Sequence, residues 1–381
     1  MFRFAFLFSA TLATPLLAQS EDGATDPNLA ACRDLDTPAA NRQNACDRAI
    51  YNSSGRDLAD AYMQRADIYF SIGRFENAEE DLAAAALIAP DWAEPLRQHS
   101  FLAEARGDTE RAHALAQKAV EADPDDPYAH ERLMDSGYWQ DPEVDCVPVA
   151  RQIEPLIPPS GGYLWSAVGF CYHYKQLWAD AELAYSAALE IDPGDDWTQV
   201  NLAKVRLNSS NFAGVEEAAK AAFEANPDNL EALGIWMTSL TQQGRSVDEV
   251  LPLYQDNLDA IRNARNDFQI PNSAAWPLYV AGRHDEALEI LTRWQEDQPQ
   301  PPYLATDSFD TLGHVHAALG NTDEATQAFL AALETGGPLQ EALYRQGLSE
   351  LDISVGDDGI EAALRACAEL GEGCRMTAVL D

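Results

Sequence analysis

The stretch that decides the fold runs from Gly162 to Asp195 and reads GYLWSAVGFCYHYKQLWADAELAYSAALEIDPGD. Trp165, Val168, Gly169 and Tyr172 fall at i, i+3, i+4 and i+7, one face of a helix. After Lys175-Gln176 a second face appears at Ala181, Tyr185 and Ala188, until Pro193 forbids further helix. Two short helices and a stop make a hairpin. Neither helix buries both of its faces, so such a hairpin must stack on copies of itself.

Copies are present on both sides. Upstream, residues 59–92 place Tyr62, Ala66, Tyr69, Gly73, Ala78, Leu82, Ala85 and Pro90 in the same register, and 93–126 repeat it with Leu96, Gly107, Ala112, Ala116, Ala119 and Pro124. Gly73 to Gly107 and Pro90 to Pro124 are both 34 residues, two independent punctuation marks with one period. Residues 127–161 form a degenerate copy, interrupted at Asp141-Pro142 and Pro148. Downstream come 196–229, 230–267, 268–305 and 306–339. Gly244 to Gly282 and Gly282 to Gly320 are 38 apart, so four residues have been inserted at those junctions, and the second helix of 230–267 is expected to extend through Leu258 and Ile261. Trp294, Pro299 and Pro301-Pro302 close the copy at 268–305. Residues 340–381 read as a degenerate helical hairpin that caps the array, and 19–58 as a loosely ordered polar segment followed by a cap helix starting near Pro38.

Trp165, Gly169, Tyr172, Ala181, Tyr185, Ala188 and Pro193 occupy the signature places of the tetratricopeptide repeat, and the hairpin closely resembles that family's motif. Val168 replaces its leucine and Gln176 its turn glycine. The resemblance implies an all-α, right-handed α-solenoid of stacked helix-turn-helix units. It implies a concave surface lined by the first helices, from places 2, 5, 9 and 12 of each unit. Here those places hold Arg97, Phe101, Phe170, His173, Lys204, Trp276, Tyr279 and His314. Aromatics with a few cations suit peptide recognition, although such places also serve as inter-helix core. Repeats that clamp a partner's C-terminal carboxylate present lysine and asparagine where this chain has Met63 and Asp67, so an acidic tail is disfavoured as ligand.

The first residues give a single Arg3, an apolar run from Phe4 to Leu17, and Ala18 before Gln19-Ser20. This reads as a secretory signal peptide over 1–18, since the run is shorter than the roughly 20 residues of a spanning helix. Export, to the periplasm or outside, would give the six cysteines a meaning as disulfides. Nearest-neighbour pairing joins Cys32 with Cys46, Cys146 with Cys171, and Cys367 with Cys374. Buried free thiols are the alternative.

The 381 residues carry 63 acidic against 25 basic side chains, a formal net charge of -38. Such a surface repels nucleic-acid backbones and anionic lipid, and it suits protein partners with basic or apolar segments; solubility alone is the alternative reading of the acidity. No P-loop, G-x-G-x-x-G, G-x-S-x-G or H-E-x-x-H occurs, and no cofactor or metal is expected. His314 and His316 are two apart on a helix and diverge. The acidic runs at Asp123–Asp126 and Asp192–Asp196 lack the calcium-loop pattern and read as helix caps. The expected function is a non-enzymatic protein-binding scaffold in cell-envelope assembly. A holdase for exported chains and, less favoured, an enzyme are the alternatives.

Overall fold

The computed structural model describes residues 26–141, 143–208, 211–263, 269–297, 306–356 and 359–376. The expected signal segment 1–18, Pro142, Pro299, Pro301-Pro302 and the side chain of Trp294 lie outside the described residues. The chain divides into two compact bodies, an N-terminal one ending at Asp192 and a C-terminal one beginning at Pro193. Every regular element among the described residues is helical.

The N-terminal body contains α1 (Pro27–Arg33), α2 (Ala39–Asn52), α3 (Gly55–Ser71), α4 (Phe75–Ile88), α5 (Ala93–Ala105), α6 (Thr109–Ala122), α7 (Pro127–Gln140), α8 (Val147–Ile153), α9 (Gly162–Tyr174) and α10 (Trp178–Ile191). Partners in sequence pack as hairpins, and each hairpin stacks on the next, the α-solenoid arrangement. Contrary to the expectation of a loose polar segment, residues 27–33 are helical. Asp26 caps α1 by accepting from the Asn28 N–H at 2.8 Å, and Leu29 and Cys32 are fully buried against α2 and α3. The interrupted copy keeps only a short second helix, because Pro148 must sit in the first turn of α8.

The C-terminal body contains α11 (Asp196–Leu207), α12 (Phe212–Ala225), α13 (Leu230–Gln242), α14 (Val247–Asp256), α15 (Leu258–Asn263), α16 (Gln269–Val280), α17 (His284–Asp297), α18 (Thr306–Ala318), α19 (Thr322–Glu350) and α20 (Gly359–Ala368). The extended second helix of 230–267 is broken at Asn257, whose side-chain amide donates to the Leu253 carbonyl. The long α19 is two helices joined at Gly337, where φ is 59°.

One closure recurs at the hairpin turns. In the first repeat the Gly73 N–H donates to Phe70 O and the Arg74 N–H to Tyr69 O, and the same pair forms at Gly107, Gly244, Gly282 and Gly320. The residue at this place has positive φ, which glycine adopts without steric cost. Gln176 makes the same turn with φ 59°, its neighbour Leu177 donating to Tyr172 O at 2.8 Å. Aspartates start the following helices: Asp126 accepts from the Tyr128 N–H and Asp195 from the Thr198 N–H, so the acidic runs do cap helices.

The small residue at place 8 sets how closely the two helices of a hairpin approach. Gly169 faces the ring of Tyr185, and Gly313 faces Phe329 in the same way. Both rings are fully buried, a burial worth about 2–3 kcal/mol each. No helix among the described residues is long and apolar enough to cross a membrane.

The six cysteines stand in three pairs at disulfide distance: Cys32–Cys46, Cys146–Cys171 and Cys367–Cys374. The first joins α1 to α2, the second joins the start of α8 to α9, and the third ties the chain after α20 back to that helix.

Candidate functional site

In the N-terminal body, places 2, 5, 9 and 12 of the first helices line up from one hairpin to the next. Phe70 and Phe101 lie 5.9 Å apart between ring centroids, and Tyr138 meets Phe170 at 6.0 Å and Tyr174 at 5.0 Å. Tyr163, 58% exposed, donates its hydroxyl to Glu131 at 2.7 Å. Phe170 is 36% exposed. His173 sits edge-on to Tyr185, 6.3 Å away, and beside Trp178. Phe101 and Phe170 therefore belong to a stepped aromatic surface, while His173 packs toward the second helix of its own hairpin.

Charge on this face is neutralised inside it. Arg97 pairs with Glu94 and, at 3.2 Å, with Asp126, and its guanidinium lies over the Tyr128 ring at 5.2 Å. Beneath the face, buried Arg132 donates to Ser100 at 2.8 Å and to Asp135 at 2.7 Å and pairs with Glu104. Burial pushes the Glu131 carboxyl above its usual value, with Tyr163, Arg132 and Arg97 opposing.

The C-terminal body uses the same places for different chemistry. Lys204 is held by Glu231 of the following repeat at 2.7 Å. Trp276, Tyr279 and His314 do come together: Trp276 lies 5.1 Å from Tyr279 and 6.2 Å from His314, with Tyr279 and His314 at 5.9 Å. Only Trp276 remains partly open. Tyr279 and His314 are each 3% exposed, which corrects the expectation that they line an open groove. The cause is the chain after α20, which returns across α18: His314 donates from Nδ1 to the Cys374 carbonyl at 2.8 Å, and Arg375 bonds Tyr279. Met376 is buried against Gly347.

Beside Trp276 a cavity of about 170 Å³ opens among α13, α16 and α18. Thr238 and Thr241 line it from the sixth repeat, Asn272 and Ser273 from the seventh, and Asp307, Asp310 and Thr311 from the eighth. Thr238 and Ser273 share a hydrogen bond of 3.1 Å. Asp310 is buried and accepts from the Tyr344 hydroxyl at 2.7 Å. Asp307 stands at the exposed mouth, where surrounding protein still strips enough water to raise its carboxyl above its usual value; the Asp310 charge adds to this. Thr238, Thr241, Asn272, Asp307 and Asp310 occupy the mapped places, yet a search for aromatics and cations passes over them. Asking which places carry carboxylates would have found Asp307 and Asp310.

A tetratricopeptide-repeat family model matches residues 59–91 and 306–335, in the register of the first and eighth hairpins. The protein carries tetratricopeptide repeats. Among solved structures, one described as the functional characterisation of Pseudomonas aeruginosa pilF is 16% identical, with TM-score 0.49, covering 56% of this chain and 96% of that one. YrrB, described as a tetratricopeptide-repeat protein with an unusual peptide-binding site, is 18% identical, with TM-score 0.39, covering 50% and 97%. A tetratricopeptide repeat protein from Parabacteroides merdae is 13% identical, with TM-score 0.40, covering 74% and 94%. No curated protein matches the chain significantly. The repeats make the molecule a scaffold for protein interaction.

Proposed function

We propose that this protein binds protein or peptide segments along the first-helix faces of its repeats, after export to the periplasm or beyond, as a scaffold in cell-envelope assembly. The observation that carries the binding reading is the stepped aromatic face of the N-terminal body. Aromatic side chains there stay partly exposed on rigid helices, and neighbouring charges are already paired, so a ligand meets ordered apolar surface at little entropic cost. The strongly acidic composition favours partners with basic segments. Support for export comes from three cysteine pairs at disulfide distance, an arrangement that persists in oxidising compartments.

The test places a photo-crosslinking residue at Phe101, Phe170 or Trp276 on first helices, and at exposed Leu183 on a second helix as control. In cells, the first-helix positions should yield one defined crosslinked protein that mass spectrometry names. Equal yield from Leu183 would sink the face assignment. A broad set of unrelated unfolded chains would indicate a holdase. Intact-mass measurement after thiol alkylation, before and after reduction, addresses compartment: six thiols should react only after reduction, and free thiols in the native protein would overturn export.

A further inference from the structure

The cavity beside Trp276 has a composition that selects its occupant. Its lining contributes four hydroxyls (Thr238, Thr241, Ser273, Thr311), two amides (Gln242, Asn272) and two carboxylates (Asp307, Asp310), with the Trp276 ring and Pro277 as the apolar wall. No lysine, arginine or histidine lines it. An anion entering would meet two carboxylates: Asp310, whose neighbour His314 stands 3.7 Å away and opposes its charge only when protonated, and Asp307 at the mouth. A neutral group would leave both carboxylates in a partly dehydrated site with their mutual repulsion intact. A cation relieves that repulsion, and an indole face attracts cations within about 6 Å of its centroid. Asn272 adds an independent sign: its amide oxygen is buried and accepts no hydrogen bond among the described residues. An N–H donor is what that oxygen lacks.

Size narrows the choice. Small-molecule sites run to roughly 300–1,000 Å³. At about 170 Å³ this cavity suits one long side chain. Asp310 is also held in place by the Tyr344 hydroxyl, so its carboxylate need not reorganise when a cation arrives.

We infer that this cavity receives the arginine or lysine side chain of a bound peptide, with Asp307 and Asp310 taking the charge and Trp276 covering the stem. This rests on the peptide-binding reading above and adds to it a fixed basic position in the ligand.

The experiment selects phage-displayed random heptapeptides on the purified protein. The strongest sequence is then synthesised with its basic residue intact and with citrulline, the neutral isostere of arginine, in its place. The inference expects enriched peptides that share one basic position. Citrulline should weaken binding about tenfold or more, as expected for loss of a charge-assisted contact. Asp307→Asn should weaken binding to a similar degree, whereas Glu361→Gln, an exposed charge on α20, should not. Trp276→Leu provides a second variant, with circular dichroism confirming its fold. Equal binding by citrulline, or equal effects of the Asp307 and Glu361 substitutions, would show only general attraction to an acidic protein and would overturn the inference. Peptides lost on Phe101→Ala but indifferent to Asp307→Asn would leave the binding reading standing and remove the cavity from it. No enrichment at all would overturn both.

Discussion

The two bodies place the same helix positions to different use. In the N-terminal body the first-helix face is aromatic, and its polar groups close on one another: Arg97 on Asp126 and Arg132 on Asp135 within a repeat, Arg132 on Glu104 and Tyr163 on Glu131 between repeats. In the C-terminal body the face offers hydroxyls and carboxylates, one of them at an open mouth, and its last part is roofed by the chain's own return over α18. A repeat scaffold fixes where side chains point, and the residue chosen at each place decides whether a charge is satisfied within the protein or left for a ligand.

The largest effect expected from this contrast is on stability. Arg132→Leu should cost about 3 kcal/mol, the low end for breaking a buried pair, since Glu104 and Asp135 keep some access to water. Asp307→Asn should cost nothing measurable at neutral pH. Denaturant unfolding followed by hydrogen exchange, which assigns the loss to one body, checks both, and equal losses would break the comparison.

Next come substitutions that should treat the bodies alike. An alanine Cβ at position 169 would sit 2.7 Å from the Tyr185 ring, and one at 313 would collide with Phe329. Overpacking outweighs the better helix propensity of alanine, so Gly169→Ala and Gly313→Ala should each cost about 2 kcal/mol. Thermal unfolding that showed a loss in only one body would mean that the two hairpins do not share one packing geometry.

The pH response should carry opposite signs. Burial, then the Arg111 charge, holds the His99 imidazole below its ordinary 6.5. Its contribution is therefore present above about 6.5 and lost as pH falls through the depressed value, because the unfolded chain takes the proton first. Asp307 is raised above its ordinary 3.8, so its contribution is present below that value and lost as pH rises through the raised one. Hydrogen exchange against pH should show acid weakening the α5–α6 region less in His99→Gln. It should also show a flatter carboxylate-range slope at α18 in Asp307→Asn.

The smallest effect is at the odd turn. Gln176→Gly removes a left-handed strain of about 1–2 kcal/mol but gives the unfolded chain more freedom, for a net gain of about 0.5 kcal/mol in denaturant unfolding. A loss there would mean the glutamine side chain anchors the turn.

Much of this was legible in the sequence because the repeat is local. Gly73 to Gly107 and Pro90 to Pro124 fix the period, and each hairpin turn closes between neighbours in sequence. The helix at Pro27 was missed although Asp26-Pro27-Asn28 carries cap chemistry, because seven residues are helical only through burial of Leu29 and Cys32 by later segments. Tyr279 and His314 were misjudged for a similar reason. What covers them arrives 60 residues downstream of His314, and no periodicity announces a chain that doubles back.

The link between Cys146 and Cys171 has a mechanical consequence. A stack of hairpins pulled from its ends gives way one hairpin after another, each releasing its full length of chain. Here the degenerate third hairpin is clipped to the fourth, with a sequence separation of 25 residues between the cysteines. Under tension that loop cannot extend, which hides about 80 Å of contour length, at roughly 3.3–3.6 Å per residue, until the sulfurs are parted. The segment from the second helix of the degenerate hairpin to the first helix of the next is thus shielded from load, and reduction would appear in a single-molecule trace as chain gained.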